Sequence, residues 1–410
     1  MRTKRRDFLK KAGAATAGLG LFPMIVKASA LGRDGHIPAS DRLKTVLIGC
    51  GRGLANLNNM MNFPEIQPVA VCDVDDNQIS KAKKSVEEKR GITGFREYKD
   101  FREILTKEGA DIAILGLPDH WHAVMAIFAA NQGIHIYGEK PLARSIAEGR
   151  AIVDVVERNN IVWQTGSQQR SAGKFHKAAE LVRNGRIGKV DYVEVGLPNG
   201  GHNVGNPPVQ PVPDGVDWDM WLGPAPEVPF RGVLHKWWRW MTDYSGGQLT
   251  DWSGHHIDIA HWGLGLDRTG PVTIEGKGRP NNDGMFNVFV KYDFTCTYAN
   301  ELKMRVASNS NLKRSGATWF GPDGWINVDR GRLIASEDNI LKETIGENEI
   351  RLYKSRNHYR NFIECVKTGK ETIAPAEVGH RSVSVGLLGE IAMITGQKLH
   401  WDPMNEKFTD

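Results

Sequence analysis

The chain has 410 residues, of which 40% are hydrophobic and 25% are charged, and its formal net charge is +5. This composition is typical of a globular protein of about two domains and excludes the collagen-like and low-complexity classes. The first 30 residues contain seven Lys or Arg and one acid, so the remainder, with 46 basic and 47 acidic residues, is almost neutral. No basic stripe is present, so a nucleic-acid partner is not expected.

The chain opens with the pattern of an export signal at residues 1–30. Arg5 and Arg6 precede a Gly/Ala-rich apolar run at 12–26, and Ala28-Ser29-Ala30 is typical of a cleavage site. The run is shorter than the ~20 apolar residues of a membrane span. The paired arginines resemble a twin-arginine signal, so we expect export of the folded protein to the periplasm and no membrane association after cleavage.

Strands then alternate with helices as far as residue 166. The predicted strands are 45–49, 67–73, 110–117, 134–137 and 161–164, and the helices between them are 76–90, 100–107, 121–132 and 145–159. Such alternation predicts an α/β domain with a doubly wound parallel sheet over residues 31–166.

The pattern changes in residues 167–410. A helix at 171–184 and a strand at 190–196 precede a Pro/Gly-rich loop that extends to residue 229. Further strands are predicted at 272–277, 287–294, 302–308, 317–320 and 324–328, with two helices at the end of the chain. Consecutive strands joined by short turns indicate an α+β domain with an open, mainly antiparallel sheet.

A Gly-rich turn, Gly49-Cys50-Gly51-Arg52-Gly53, lies between the first strand and a helix, where a dinucleotide-binding fingerprint belongs. A regular fingerprint has its third glycine where Leu54 stands, so the local helix packing should differ. Asp73 ends the second strand about twenty residues later, where a carboxylate binds the ribose hydroxyls and repels a 2′-phosphate. Taken alone, the Gly-rich turn could be a plain chain reversal, and Asp73 could be a solvated acid at the end of a strand. Together they predict NAD as the cofactor.

Three later segments carry a family resemblance. They are Leu117-Pro118-Asp119-His120-Trp121-His122, Glu139-Lys140-Pro141 and the stretch from Gly246 to His255. With the Gly-rich turn they resemble the Gfo/Idh/MocA family, which includes glucose-fructose oxidoreductase and inositol dehydrogenase. The resemblance implies a Rossmann domain followed by a domain whose open-faced sheet supports substrate binding and assembly into a homo-oligomer, a dimer or tetramer.

The family pattern places its catalytic lysine on Lys140 and its Asp-x-x-x-His pair on Asp251 and His255. Histidine suits general base work near neutral pH, and a residue four positions earlier shares its helical face. Lys140 can stabilise a developing alkoxide, and Asp251 can orient a hydroxyl or the imidazole. For Asp251 and His255 the alternative is a surface or helix-capping pair. For Glu139 and Lys140 the alternative is a solvated charge pair. We assign the cofactor contacts to Gly49, Cys50, Gly51, Arg52, Gly53, Asp73, Leu117, Pro118, His122, Glu139, Lys140 and Gln168.

Candidate substrate contacts follow from the tryptophans, seven of the twelve lying between residues 218 and 262. Aromatic faces stack on pyranose rings, although such residues also bury large areas as structural staples, and we expect one or two to line the pocket. We assign substrate binding to Arg170, Lys236, Trp238, Arg239 and His256. For His256 the alternative is a hydrogen-bonded core histidine.

Metal and disulfide sites are not expected. His255, Asp258 and His261 are spaced by three, unlike the His-Glu-x-x-His motif of zinc proteases. The four cysteines fit neither a zinc site nor a dense disulfide framework. Because twin-arginine substrates fold in a reducing compartment, we expect free thiols.

The sequence therefore predicts an NAD-dependent oxidoreductase acting on a secondary hydroxyl of a sugar or glycoside. A periplasmic enzyme has no usable NAD pool, so the coenzyme should be tightly bound and regenerated in each cycle. A redox glycosidase or epimerase, working through a transient 3-keto sugar, is the alternative. A sugar-binding scaffold with a relic Rossmann domain is a third hypothesis, disfavoured because Lys140, Asp251 and His255 are all present.

Overall fold

A computed structural model describes residues 37–201, 204–232, 237–281 and 284–409. The predicted export signal and the candidate substrate contact Lys236 lie outside these ranges. A short 3-10 turn at Ala39–Asp41 precedes the compact unit that begins at Leu43.

The first sheet of that unit is fully parallel and has the strand order β3-β2-β1-β4-β5-β6. Its strands are β1 (Leu43–Ile48), β2 (Ile66–Cys72), β3 (Arg96–Tyr98), β4 (Ile112–Leu115), β5 (His135–Gly138) and β6 (Trp163–Thr165). This order is that of the Rossmann fold, and it confirms the predicted doubly wound sheet. Sequence analysis missed β3 because Arg96-Glu97-Tyr98 is short and polar.

Helices connect these strands and cover both faces of the sheet. They are α1 (Arg52–Met60), α2 (Asp76–Arg90), α3 (Phe101–Lys107), α4 (His122–Asn131) and α5 (Ile146–Arg158). Local signals set their limits: the Asp75 side chain caps α2, and Ser145 forms a capping box with Glu148 at the start of α5. All four residues of β4 are buried, as expected of a strand covered on both faces.

The second sheet has nine strands in the order β13-β12-β11-β7-β10-β9-β8-β14-β15. They are β7 (Tyr192–Leu197), β8 (Thr273–Pro280), β9 (Phe289–Thr297), β10 (Lys303–Ser308), β11 (Gly316–Gly321), β12 (Gly324–Asp329), β13 (Arg332–Ala335), β14 (Leu399–Asp402) and β15 (Lys407–Phe408). Strands β7 and β10 run parallel and the other neighbouring pairs are antiparallel. The mainly antiparallel sheet of the α+β prediction is confirmed.

The helices of this part of the chain pack against the second sheet, against the Rossmann domain or in the aromatic cluster near Trp218. They are α6 (Gly173–Arg183), α7 (Trp218–Leu222), α8 (Gly247–Trp252), α9 (Asp258–Leu264), α10 (His358–Thr368) and α11 (Ala376–Thr395). Helix α11 contacts β8 and β9 with Val385 and Leu388 in the core of the second sheet, while Val383 and Leu387 pack into the Rossmann core. Helix α10 packs against α1. The two sheets are therefore held together by the last helices of the chain.

The structure also describes the cysteines and the hydrophobicity of the helices. The four cysteines, Cys50, Cys72, Cys296 and Cys365, are buried and free, as expected. Within the described ranges, no helix has the length and apolar character needed to cross a bilayer.

Buried histidines make the stability of this fold dependent on pH. Burial lowers the pKa of His120, His256, His261 and His358 to about 4, below the 6.5 of the unfolded chain. Above pH 6.5 these histidines are neutral in both the folded and the unfolded chain, and folding is not penalised by their burial. As the pH falls from 6.5 toward 4, the unfolded chain binds protons that the folded chain does not, so the free energy of unfolding decreases. Burial raises the pKa of the Asp258 carboxyl to about 6, which offsets part of this effect.

We predict that the free energy of unfolding falls between pH 6 and pH 5 and that His358→Asn reduces this slope by about 1 kcal/mol per pH unit. Chemical denaturation at several pH values measures the slope. An identical slope in wild type and His358→Asn would contradict the prediction.

Candidate active site

The Gly-rich turn between β1 and α1 lies directly against the end of β4. Gly49 has a φ of +81°, and a Cβ there would lie 2.5 Å from the carbonyl oxygen of Gly116. A Cβ on Gly116 would lie only 2.3 Å from the backbone nitrogen of Gly53. Gly53 therefore provides the close helix–strand approach that a regular fingerprint obtains one residue later, and Gly116 is the second half of the contact.

The N-terminus of α1 faces a cavity of about 610 Å³. Its N-cap is Gly51, which has no side chain to bind the first N–H groups of the helix, and a Cβ at Gly51 would contact nothing within 4 Å. Free N–H groups at a helix N-terminus bind anions such as the pyrophosphate of a dinucleotide. The residues present therefore fit NAD, and Gly49, Gly51 and Arg52 would hold its phosphates.

Asp73 lies at the end of β2 and lines the same cavity. Its Oδ2 accepts a hydrogen bond from the Cys50 backbone at 2.7 Å, and its Oδ1 accepts one from the Asp75 backbone at 3.1 Å. Burial raises the pKa of this carboxyl. A carboxylate oxygen can accept more than one hydrogen bond, so Asp73 both fixes the Gly-rich turn and keeps acceptor capacity toward the cavity.

The structure brings most of the predicted cofactor contacts to the cavity wall. Those that line it are Gly49, Gly51, Arg52, Asp73, Leu117, Pro118, Glu139, Lys140 and Gln168. Cys50, Gly53 and His122 lie behind the wall. His122 is held between the carbonyl oxygens of Pro141, at 2.7 Å from Nδ1, and Leu117, at 3.1 Å from Nε2. Its position is that of a support for the two loops that carry Pro118 and Lys140.

Glu139 connects the turn to the catalytic loop. Its Oε1 accepts a hydrogen bond from Asn56 at 2.8 Å and lies 3.4 Å from Nε of Arg52. The Glu139 side chain is buried, and a Cβ on Gly166 would touch its carboxylate. Glu139 thus fixes the loop that presents Lys140, and Asn56 is a partner that sequence analysis did not single out.

Lys140 and Asp251 form an ion pair across the cavity. Nζ of Lys140 lies 2.7 Å from Oδ1 of Asp251, and Nε of Arg239 donates to the same oxygen at 2.8 Å. Burial acts to raise the pKa of Asp251, but the charges of Lys140 and Arg239 outweigh it, so the net pKa is lowered. Asp251 is therefore an anion held by two cations.

His255 is presented by one turn of π-helix. Helix α8 ends at Trp252, residues Ser253–Ile257 form the π-turn, and α9 follows at once. Asp251 and His255 both line the cavity, as the helical spacing predicted, although the turn between them is wider than an α-turn. His255 Nδ1 is buried with no hydrogen-bond partner in the described part of the chain. Burial, reinforced by Lys140 and Arg330, lowers the pKa of His255 well below its usual value, so the ring is neutral at pH 7.

Two predicted substrate contacts, Arg170 and His256, do not reach the cavity. Arg170 is 3% exposed, and its guanidinium forms ion pairs with Asp258 at 2.8 Å and Asp267 at 2.5 Å. His256 is 1% exposed, with Nδ1 3.3 Å from Nε2 of Gln169. Arg170 is held in the interior by these two carboxylates. His256 points away from the cavity because consecutive residues of a helix point in different directions, and its neighbour His255 faces the cavity.

The tryptophans between residues 218 and 262 divide between core and cavity. Trp218 and Trp240 pack in a buried cluster with Phe230 and Tyr244. Trp221, Trp238 and Trp252 line the cavity, and Arg239 lies over the Trp238 ring at 4.5 Å. Three of the seven therefore reach the cavity, one more than expected.

The histidines and acids near His255 are not arranged around a common point. Asp258 binds Arg170, and Nε2 of His261 lies 2.6 Å from the Tyr298 hydroxyl. In the ranges that the structure describes, no group of three His, Cys, Asp or Glu side chains is placed to hold a metal ion.

Comparison with known protein families identifies the family of this chain. Residues 43–167 match the NAD-binding Rossmann fold of the Gfo/Idh/MocA oxidoreductase family, and residues 200–410 match its C-terminal alpha/beta domain. The chain belongs to the Gfo/Idh/MocA family. It is an oxidoreductase with an NAD-binding Rossmann domain.

Three similar proteins show the range of the family. A scyllo-inositol 2-dehydrogenase (NAD(+)) of Bacillus subtilis is 23% identical over 88% of this chain and 97% of its own length. An alpha-N-acetylgalactosaminidase of Shewanella oneidensis is 32% identical, but the match covers 46% of this chain and 45% of that protein. An aldose-aldose oxidoreductase from Caulobacter crescentus, 19% identical, superimposes with a TM-score of 0.64 over 88% of this chain and 99% of that one.

Sequence analysis missed residues that reach the cavity from distant parts of the chain. Arg330 comes from the turn between β12 and β13, and Trp121 and Trp221 come from the Rossmann domain and α7. Gly116 could have been found, because it follows a buried strand immediately before the Leu117-Pro118 motif. Arg330 gave no signal, since a charged residue in a hairpin turn is usually solvated.

The Gly53–Gly116 contact gives a direct test of the turn. Gly116→Ala should destabilise the protein by at least about 1–3 kcal/mol, the usual cost of overpacking, and weaken NAD binding, because the new methyl group displaces α1. Urea denaturation and NAD titration measure the two effects. Gly173, at the start of α6, is the matched control: a Cβ there meets nothing within 4 Å, so Gly173→Ala should leave both quantities intact. Normal NAD affinity in Gly116→Ala would show that the turn tolerates displacement.

Proposed function

We propose that this protein oxidises a secondary hydroxyl group of a sugar or glycoside with NAD as its coenzyme. The observation that carries the proposal is one cavity that extends from the Gly-rich turn to Lys140, Asp251 and His255. Family membership supports oxidoreductase chemistry. The named activities of the relatives, on an inositol and on aldoses, support a polyhydroxylated ring as substrate. NAD, when bound, supplies the acceptor for two electrons and one hydrogen.

His255 is the proposed base for the hydroxyl proton. A neutral imidazole that lines the cavity can accept a hydrogen bond from a substrate hydroxyl and then its proton. Burial and the surrounding cations keep this ring neutral at pH 7, so His255 is ready to accept a proton without first releasing one.

Lys140 is the proposed stabiliser of the alkoxide that develops as the proton leaves. Its ammonium group lies beside His255 in the cavity and is fixed by Asp251 at 2.7 Å. A positioned cation in a site of low water content stabilises developing negative charge without reorganisation. Asp251 holds Lys140 and Arg239 in place and is the positioning residue of the group.

The tryptophans give the cavity a surface suited to a sugar ring. Trp238 and Trp252 border the end of the cavity that contains Asp251 and His255, and Trp221 lies nearby. Aromatic faces pack against the C–H groups of a pyranose while charged side chains bind its hydroxyls. Of the substrate contacts predicted from the sequence, Trp238 and Arg239 line the cavity, and we add Trp252 to them.

The coenzyme is proposed to stay bound through the cycle. This follows from the predicted twin-arginine export to the periplasm, which remains a proposal together with assembly into a homo-oligomer. We propose that residues 31–166 form the coenzyme-binding domain and residues 167–410 the domain that binds substrate. Nicotinamide absorbance in protein purified without added coenzyme tests the retention, and its complete absence would contradict it.

A second candidate, a redox glycosidase or epimerase, is favoured by the match to an alpha-N-acetylgalactosaminidase. Oxidation at C3 of a glycoside makes the C2 hydrogen acidic. Removal of the C2 proton and departure of the aglycone from C1, followed by addition of water and reduction of C3, give hydrolysis with no net oxidation. The same base and cation serve both routes.

Substitution of the base tests the assignment. His255→Ala should lower single-turnover reduction of the bound coenzyme by roughly 10²–10⁴-fold, the usual contribution of a general base, with partial recovery at high pH where hydroxide substitutes. Lys140→Ala should lower it by a comparable factor, and the double variant should be less impaired than the product of the two effects if both act on one step. The control His400→Ala, on β14, should react at the wild-type rate. Wild-type coenzyme reduction in His255→Ala would remove His255 from the mechanism.

Isotope labelling separates the two candidate reactions. With a panel of sugars and glycosides in deuterated water, a dehydrogenase should produce one equivalent of reduced coenzyme for each keto sugar. A redox glycosidase should release the aglycone without net coenzyme reduction and place deuterium at C2 of the sugar, because the proton that returns to C2 comes from solvent. Sugar binding without either reaction would favour the non-catalytic scaffold and contradict the proposed function.

A further inference from the structure

Arg330 brings a cation to the catalytic end of the cavity from the turn between β12 and β13. Its guanidinium lies 4.4 Å from the ring centroid of Trp252, and both residues line the cavity with His255. Trp252 in turn contacts the His255 ring edge to face at 5.3 Å between ring centroids. Arg330 is therefore held over an aromatic face next to the proposed base.

The turn that carries Arg330 is fixed by Asp329. Oδ1 of Asp329 accepts a hydrogen bond from the Arg330 backbone at 2.6 Å and lies 3.4 Å from Nε2 of His256, while Oδ2 accepts one from the Ser315 hydroxyl. The Asp329 carboxylate is thus engaged by groups other than the Arg330 guanidinium. In the described ranges the Arg330 side chain has no hydrogen bond or ion pair, and its contact is the Trp252 face.

The acids near Arg330 are bound by other groups. Lys140 and Arg239 both bind Oδ1 of Asp251. Asp119 is 2% exposed and bound by the Ser245 hydroxyl, and Glu139 accepts a hydrogen bond from Asn56 and lies 3.4 Å from Arg52. Burial lowers the pKa of Arg330 although the charges of Asp329 and Asp251 act to raise it, which shows that the cation is partly desolvated. Arg330 is therefore a cation of the cavity wall whose side chain has no ion pair in the described ranges.

We propose that Arg330 binds an anionic substituent of the substrate, so that the preferred substrate is a sugar or glycoside bearing a carboxylate, sulfate or phosphate group. This inference rests on the proposed function and names the class of sugar. A guanidinium binds such groups through two parallel hydrogen bonds, and stacking on Trp252 leaves its edge free to do so. The anion also gives the Arg330 guanidinium a direct ion-pair partner.

Matched pairs of ligands test the proposal on the full-length protein. Hexoses and methyl hexosides are compared with the corresponding hexuronates, methyl hexuronides, 6-sulfates and 6-phosphates, both by calorimetric binding and by coenzyme reduction. The anionic member of a pair should have a kcat/KM higher by roughly 10- to 100-fold, the usual effect of hydrogen bonds to a charged group, and this preference should shrink at high salt. Comparison of the three anions identifies which one the site accepts.

Arg330→Gln should remove the preference by raising KM and Kd for the anionic ligand, and Arg330→Lys should restore part of it. Arg332 is the matched control: it lies on the neighbouring strand, is exposed and donates to Ser315, so Arg332→Gln should keep the preference. Equal or better use of the neutral sugars by the wild type would overturn the proposal. A loss in Arg330→Gln that is the same for both members of a pair and matches a loss of NAD affinity would also overturn it, because Arg330 would then bind the coenzyme. Failure of every sugar to bind or react would instead contradict the proposed function itself.

Discussion

The carboxylate of Asp251 joins the two parts of the molecule at the end of the cavity that contains His255. Lys140 reaches it from the loop after β5, and Arg239 reaches it from the aromatic segment before α8. Removing either cation would leave a buried anion poorly compensated, which is costly. The position of Lys140 over the cavity is therefore set by a partner more than a hundred residues away, and the wider packing of α11 between the two cores holds that partner in register.

The same electrostatic arrangement decides the state of His255. Taking an imidazole out of water disfavours its charged form, and the nearby Lys140 and Arg330 add to this effect. A base that must be neutral at rest benefits from such surroundings, but it becomes harder to protonate during the reaction. An anion bound at Arg330 would reduce the positive field at His255, so a charged substrate would make the base stronger at the moment when it is needed.

The parts of this structure that sequence could predict are those encoded by neighbouring residues. The parallel sheet follows from apolar runs such as Ile112–Leu115, and the turn from glycines before a helix. The meeting of Lys140, Asp251 and His255 in one cavity followed from family motifs, since no local pattern brings residue 140 to residue 251. Arg170 and His256 illustrate the limit: their residue types suit a sugar, but buried partners such as Asp258, invisible in the local pattern, place them in the interior. Arg330 illustrates the converse, a turn residue that tertiary packing brings into the site.

The π-turn explains why His255 and His256 have different surroundings although they are adjacent. An inserted residue widens the helix at Ser253–Ile257, and Gly254 there lies so close to Lys140 that a Cβ would be 2.9 Å from the Lys140 Cβ. The glycine thus lets Lys140 approach the turn, while His255 projects toward the cavity and His256 toward Asp329. Asp329 fixes the hairpin that carries Arg330, so His256 contacts the acid of that hairpin while its own ring stays outside the cavity. One inserted residue in the helix therefore gives two adjacent histidines different surroundings, one at the cavity wall and one in the interior.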